Sequence, residues 1–170
     1  MRRPLFIAIL VALCTSGCDL SSKRWAIHST ASGPRSLIPG AFDLVHWENP
    51  GMAFSLMRTW PPAIRMGLLG MAALVAIVLG LLAVAKKPMG LAATIGVGLI
   101  MGGALGNFID RAHDGLVTDF LHVYRGAFDW PAFNVADIAV TCGAALLFIS
   151  MSRQRDVASA TLNDMNDMKE

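Results

Sequence analysis

Four aspartates, Asp19, Asp110, Asp119 and Asp137, are the side chains in this sequence best suited to acid–base chemistry. Two of them close a repeated short motif, Asn107-Phe-Ile-Asp110 and Asn134-Val-Ala-Asp137, and Arg111 directly follows the first copy. The i, i+3 spacing puts amide and carboxylate on one helix face. There an amide can hold a neighbouring carboxylate, or a substrate carbonyl, by donated hydrogen bonds. Two carboxylates sharing a partly desolvated site cannot easily both ionise, so one keeps its proton while the other stays a base. Such a pair can activate a water against an amide carbonyl and then protonate the leaving amine. Asp119 and Asp137 are 18 residues apart, so their meeting depends on the fold and is not visible in the spacing.

Other chemistries find less support. Cys14, Cys18 and Cys142 lie in or beside apolar stretches without paired metal-ligand spacing and read as structural thiols. His28, His46, His113 and His122 form no H-E-x-x-H, and there is no G-x-S-x-G elbow or P-loop. Ser21, Ser22 and Lys23 are close in sequence, but adjacent residues rarely share one helix face, which argues against a serine–lysine pair.

The elements that position these residues must lie in a membrane. Of the 170 residues 55% are hydrophobic and only 15% charged, with a mean hydropathy of +0.55. A chain this size has no core large enough to hide that much apolar surface. A net charge of +2 without a basic block excludes a nucleic-acid partner. Residues 66–85 and 88–109 are uncharged and each long enough to cross a bilayer as a helix. Residues 4–22 and 133–151 supply two weaker spans. The fold class that follows is an all-α membrane protein of four transmembrane helices with a small extracytoplasmic β-element. The partial alternation of Phe42–Trp47 suggests that element. Residues 1–151 make the membrane domain, and residues 152–170 read as a polar cytoplasmic tail.

Arg2-Arg3, Lys86-Lys87 and Arg153 with Arg155 fall on one side of a four-span chain, so that side, with both termini, is cytoplasmic. The polar residues can then be placed by depth. Asp19 lies at the outer end of the first helix, and Asn107, Asp110 and Arg111 at the outer end of the third. Asn134 and Asp137 sit near the outer start of the fourth, with Asp119 in the loop between the last two. For a span starting at 130–133, Asp137 is about a turn deep. Ionisable groups in spans are costly, which makes each a functional candidate. Gly98, Gly102 and Gly106 form a small-residue stripe that lets a neighbouring helix approach closely.

The segments Gly103-Ala-Leu-Gly-Asn-Phe-Ile-Asp110-Arg111, Val117-Thr-Asp119-Phe120 and Pro131-Ala-Phe-Asn134-Val-Ala-Asp137 resemble motifs of the bacterial lipoprotein signal peptidases (signal peptidase II). Upstream, Asn49-Pro-Gly51-Met-Ala53-Phe54-Ser55 is similar to that family's N-x-G-x-A-F-S segment, and Asp19 to Lys23 to its D-Q-x-x-K. The resemblance implies a four-helix aspartyl endopeptidase of the bacterial inner membrane, with Asp119 and Asp137 as catalytic dyad. It implies a supporting shell of Asn49, Asn107, Asp110, Arg111 and Asn134, with Asp19 and Lys23 from the first helix. The implied substrates are prolipoproteins carrying a diacylglyceryl group on the lipobox cysteine, cut just before that cysteine, and the resemblance implies that no metal and no cofactor are needed. Membrane lipids are the other partner, the chain is expected to be a monomer, and a small external β-element falls to residues 40–58. Leu20, Pro50, Thr118 and Ile138 depart from the family pattern, and none is one of the two acids.

Two rival readings remain. Arg2-Arg3, the apolar run and Thr15-Ser16-Gly17-Cys18 resemble a lipoprotein signal peptide, which would make Cys18 a lipidated residue. Mass spectrometry of the mature N-terminus separates the two. A small transporter using intramembrane carboxylates for proton coupling is the non-enzymatic alternative, and an uptake assay distinguishes it.

Overall fold

The computed structural model describes residues 2–50, 60–86 and 89–167. The chain order is α1 (Arg2–Ser29), β1 (Arg35–Ile38), β2 (Phe42–Asn49), α2 (Pro62–Lys86), α3 (Leu91–Asp114), β3 (Val117–Arg125), β4 (Phe128–Phe133) and α4 (Val135–Asp167). Each helix contains a stretch long and apolar enough to cross a membrane. The four strands form one antiparallel sheet in the order β1-β2-β3-β4. Large apolar side chains such as Phe6, Leu74, Leu79 and Phe148 point outward, as expected of a surface bathed in hydrocarbon.

Helix α3 is the centre of the bundle, packing against α1, α2 and α4. Half of its apolar window is buried, against 6% for α2. Its glycines make this possible. A Cβ on Gly98 or Gly102 would strike the α1 backbone at Ala8 or Ala12, and one on Gly103 would strike the Ala136 carbonyl of α4. The Gly98–Gly102–Gly106 stripe is thus the α1 contact face. Without a hydrophobic drive between helices in lipid, such close approach is what holds them together. Ser16 Oγ adds a hydrogen bond to the Gly102 carbonyl at 3.0 Å. With Thr15 and Ser16 buried in this contact, α1 is an integral part of the bundle.

Several boundaries differ from the sequence reading. Helix α1 extends well past residue 22, so Asp19 lies inside the helix rather than at its end. No breaker occurs until Gly33-Pro34, and the carboxylate finds partners where it is. The fourth span starts at Val135, two residues after the expected 133, because Phe128–Phe133 joins the sheet. Pro131 is accommodated there on an edge strand, where a missing N–H is tolerated. Helix α4 continues to Asp167, where a non-helical tail was expected from residue 152. No Gly or Pro follows Gly143 to stop it. Most of the sheet comes from β3 and β4, outside the 40–58 segment. The family-like residues 51–55, like the rest of 51–59, and Lys87 lie outside the described residues.

Candidate active site

The site forms where α1, α3, α4 and the sheet meet. Helix α3 ends at Gly115, whose positive φ of 73° suits glycine and whose N–H donates to the Arg111 carbonyl at 3.0 Å. The chain then turns directly into β3, which carries Asp119, 3% exposed, under the helix ends. Strand β2 pairs alongside with Trp47 opposite Asp119, bringing Asn49 within reach.

Helix α4 begins with a reciprocal cap. The Asp137 N–H donates to Asn134 Oδ1 at 3.0 Å, and the Asn134 N–H donates to Asp137 Oδ2 at 3.2 Å. This is the capping-box arrangement, with Asn and Asp in its two roles. Asp137 therefore sits in the first turn, where the helix dipole favours a carboxylate. It is shallower than the full turn of depth expected from sequence.

Neither motif amide donates to the acid of its own copy. Asn134 Nδ2 donates to Asp119 Oδ1 at 2.7 Å, and Asn49 Nδ2 donates to Asp119 Oδ2 at 2.9 Å. Asn107 Nδ2 donates to Asp137 Oδ1 at 3.0 Å. Asn134 Nδ2 also lies 3.2 Å from Asn107 Oδ1, closing the network. The two N-x-x-D copies look alike in sequence but do different work: one caps a helix, the other lies within the last turns of α3.

A second group holds the first in place. Lys23 Nζ donates to Asp19 Oδ2 at 2.6 Å, Asp110 Oδ2 at 2.8 Å and Asn107 Oδ1 at 3.0 Å. Asp19, fully buried, uses its other oxygen to accept the Ala136 N–H at 2.9 Å. Asp110 also accepts the Thr118 N–H at 3.4 Å. One ammonium thus ties α1 to α3, and one carboxylate ties α1 to the start of α4. Arg111 Nη1 donates to the Asn107 carbonyl at 3.1 Å and lies within the fields of Asp137, Asp119 and Asp110. Lys23 is fully engaged, which leaves it no role as a base for Ser21 or Ser22.

Burial pushes the Asp119 carboxyl up to about 6, and the nearby Asp137 charge adds to the rise. Hydrogen bonds from Asn49 and Asn134 and the Lys23 charge hold it back. Both acids line a groove of ≈ 1140 Å³ that continues down between α2 and α4 past Ala72, Ala76, Ala104 and Val140. Among the described residues, no three His, Cys, Asp or Glu side chains gather as a metal set. The three cysteines are free and exposed, so they are not core thiols.

All nine residues singled out from the sequence converge on this network. The sequence reading missed Thr118, whose carbonyl accepts from Asn134 at 3.4 Å, and the Ala136 N–H. Both act through the backbone, for which side-chain identity gives no signal.

A family described as Signal peptidase (SPase) II matches residues 11–153. A protein of Methylocella silvestris named lipoprotein signal peptidase is 39% identical over 148 residues, covering 85% of this chain and 84% of its own. One of the same name from Nitratidesulfovibrio vulgaris is 39% identical over 157 residues, covering 90% and 91%. Among solved structures, a bacterial membrane enzyme superposes with a TM-score of 0.75 at 26% identity, over 87% of this chain and 88% of that one.

Proposed function

The chain belongs to the signal peptidase II family, and on that premise we propose that it is an aspartyl endopeptidase that removes signal peptides from diacylglyceryl-modified prolipoproteins. The cut falls just before the lipidated cysteine. The observation that carries this reading is the paired support of Asp119 and Asp137. Each accepts two hydrogen bonds, chiefly from asparagine amides, on the wall of one apolar groove.

Asp119, raised to about 6, is the acid and Asp137 the base. A water between them gives its proton to Asp137 as its oxygen attacks the scissile carbonyl carbon. The Asp119 proton passes to the carbonyl oxygen, giving a neutral tetrahedral diol. Collapse of that diol breaks the C–N bond, with Asp137 returning its proton to the departing amine and the diol hydroxyl restoring the proton of Asp119. Asn49, Asn107 and Asn134 fix the orientation of the two carboxyls. Lys23, held by Asp19 and Asp110, fixes Asn107 in turn, and Arg111 compensates the local negative charge.

The positive-inside distribution supports an inner-membrane protein with both termini cytoplasmic and the dyad near the periplasmic face. There the scissile bond of a lipid-anchored substrate meets the dyad while its acyl chains stay in the bilayer. The chain acts as a monomer on this reading. The test is cleavage of a diacylglyceryl-modified prolipoprotein in micelles by wild type, Asp119→Asn and Asp137→Asn. Both variants are expected to lose at least about 10³-fold in kcat with folding and insertion intact. Full activity in either would overturn the dyad.

A further inference from the structure

Arg65 is a buried charge for which the proposed reaction has no use. It lies in the first turn of α2, is only 8% exposed, and its Nε is buried without a hydrogen-bond partner among the described residues. No carboxylate among the described residues pairs with it. The sequence makes the shortage general, because Asn49 to Ile109 contains no Asp or Glu. A guanidinium removed from water needs a counter-ion and acceptors for its donors. Arg65 also adds positive charge to the surroundings of Arg111, whose own compensation comes from Asp137, Asp119 and Asp110. The local excess of positive charge is therefore on the Arg65 side.

Its depth identifies the missing anion. Trp60, half-exposed, precedes α2 through Pro61-Pro62, and tryptophan favours the membrane–water interface. Arg65 lies about one helical turn inside that marker, from where a long arginine side chain extends its head group back to the level of lipid phosphates. Pro61 and Pro62 carry no N–H and the Arg65 N–H donates to the Pro61 carbonyl at 3.1 Å, so the start of α2 adds the N–H groups of Ala63 and Ile64 and the positive end of the helix dipole. The planar fork of arginine fits a phosphate with two parallel hydrogen bonds. We infer that Arg65 and the first turn of α2 seat a phosphate anion at the membrane interface. An anionic phospholipid headgroup and free phosphate share this chemistry. The site neighbours Arg111 but shares no residue with the dyad, and it does not depend on the peptidase reading.

The test uses the full chain in a non-ionic detergent, with native mass spectrometry and thermal unfolding as readouts. Phosphatidylglycerol, diacylglycerol and inorganic phosphate are added separately. Wild type is expected to retain one phosphatidylglycerol and to gain several degrees in Tm, with no retention of diacylglycerol. Arg65→Gln is expected to retain at least tenfold less, and Arg65→Lys an intermediate amount because a point charge lacks the fork. A Tm gain of wild type with inorganic phosphate assigns the seat to free phosphate as well, and no gain assigns it to lipid. Equal retention of phosphatidylglycerol by Arg65→Gln, equal retention of diacylglycerol by wild type, or no retention by wild type overturns the inference. Should Arg65→Gln fail to fold, the deciding comparison is Arg65→Lys against wild type, where equal retention overturns it. Prolipoprotein cleavage in lipid-free micelles is expected to be the same for wild type and Arg65→Gln. A failed dyad test therefore leaves this one intact.

Discussion

Asp119 concentrates the tension between stability and chemistry. Its carboxyl is raised to about 6, so the folded state holds a proton that the unfolded chain releases near its ordinary value of 3.8. Stability from this group is fully present below pH 3.8 and is lost as pH rises through about 6. The loss is on the order of 2–3 kcal/mol. Thermal unfolding in micelles is therefore expected to show wild type falling between pH 4 and 7 more steeply than Asp119→Asn; parallel curves would contradict this. On the proposed mechanism the same proton serves catalysis. For the free enzyme, kcat/KM should decline as pH rises through about 6, while kcat keeps its limb at higher pH because bound substrate expels more water. Asn49 donates to the ionised form, so Asn49→Ala should move the kcat/KM limb to higher pH. An unmoved or acid-shifted limb would count against the role given to that amide.

At the scale of elements, α3 sets the geometry through residues that have no side chain. A Cβ on Gly106 would lie 2.5 Å from Asp19 Oδ2, the oxygen that accepts from Lys23. Gly106→Ala is expected to destabilise by about 1–3 kcal/mol. It should lower kcat further, since Lys23 positions Asn107 and Asn107 holds Asp137. Thermal unfolding with kinetics on the folded fraction checks both. Normal kcat would mean that the α1 anchor does not reach the dyad. The helix starts and stops show how far local chemistry can be read. The glycine stripe and the apolar runs were legible because packing in lipid demands small or apolar residues at fixed intervals. The strand at Phe128–Phe133 was not, because its aromatic residues run into an apolar helix and the boundary rests on the Asn134 cap.

For the whole molecule, α2 and α4 flank α3 and barely meet, which leaves between them the groove that both acids line, the path for substrate on the proposed mechanism. Cys142 lines it, while Cys14 and Cys18 lie on α1, which contributes no groove-lining residue. In a Cys14→Ser, Cys18→Ser background, a bulky maleimide on Cys142 is expected to reduce cleavage at least about tenfold, which is about 1.4 kcal/mol. Lipidated substrate should in turn slow the labelling. Full activity after complete labelling would put the substrate path elsewhere.

The sequence by itself determined the class, the number of spans and the identity of the polar residues that cluster. Bilayer thickness dictates span length, and the cost of charge in hydrocarbon makes every intramembrane carboxylate conspicuous. It could not decide which amide serves which acid. Within each N-x-x-D copy, spacing alone pairs Asn107 with Asp110 and Asn134 with Asp137. In the tertiary structure Asn134 and Asp137 do pair through the α4 cap, but the Asn107 amide goes to Asp137 because Lys23 from α1 claims Asp110, and the Asn134 amide goes to Asp119 on β3. The contacts of the network that run between elements span from 15 residues, Asn134 with Asp119, to 117, Asp19 with Ala136, and only the packing of α1 and α4 against α3 brings such partners within hydrogen-bond reach.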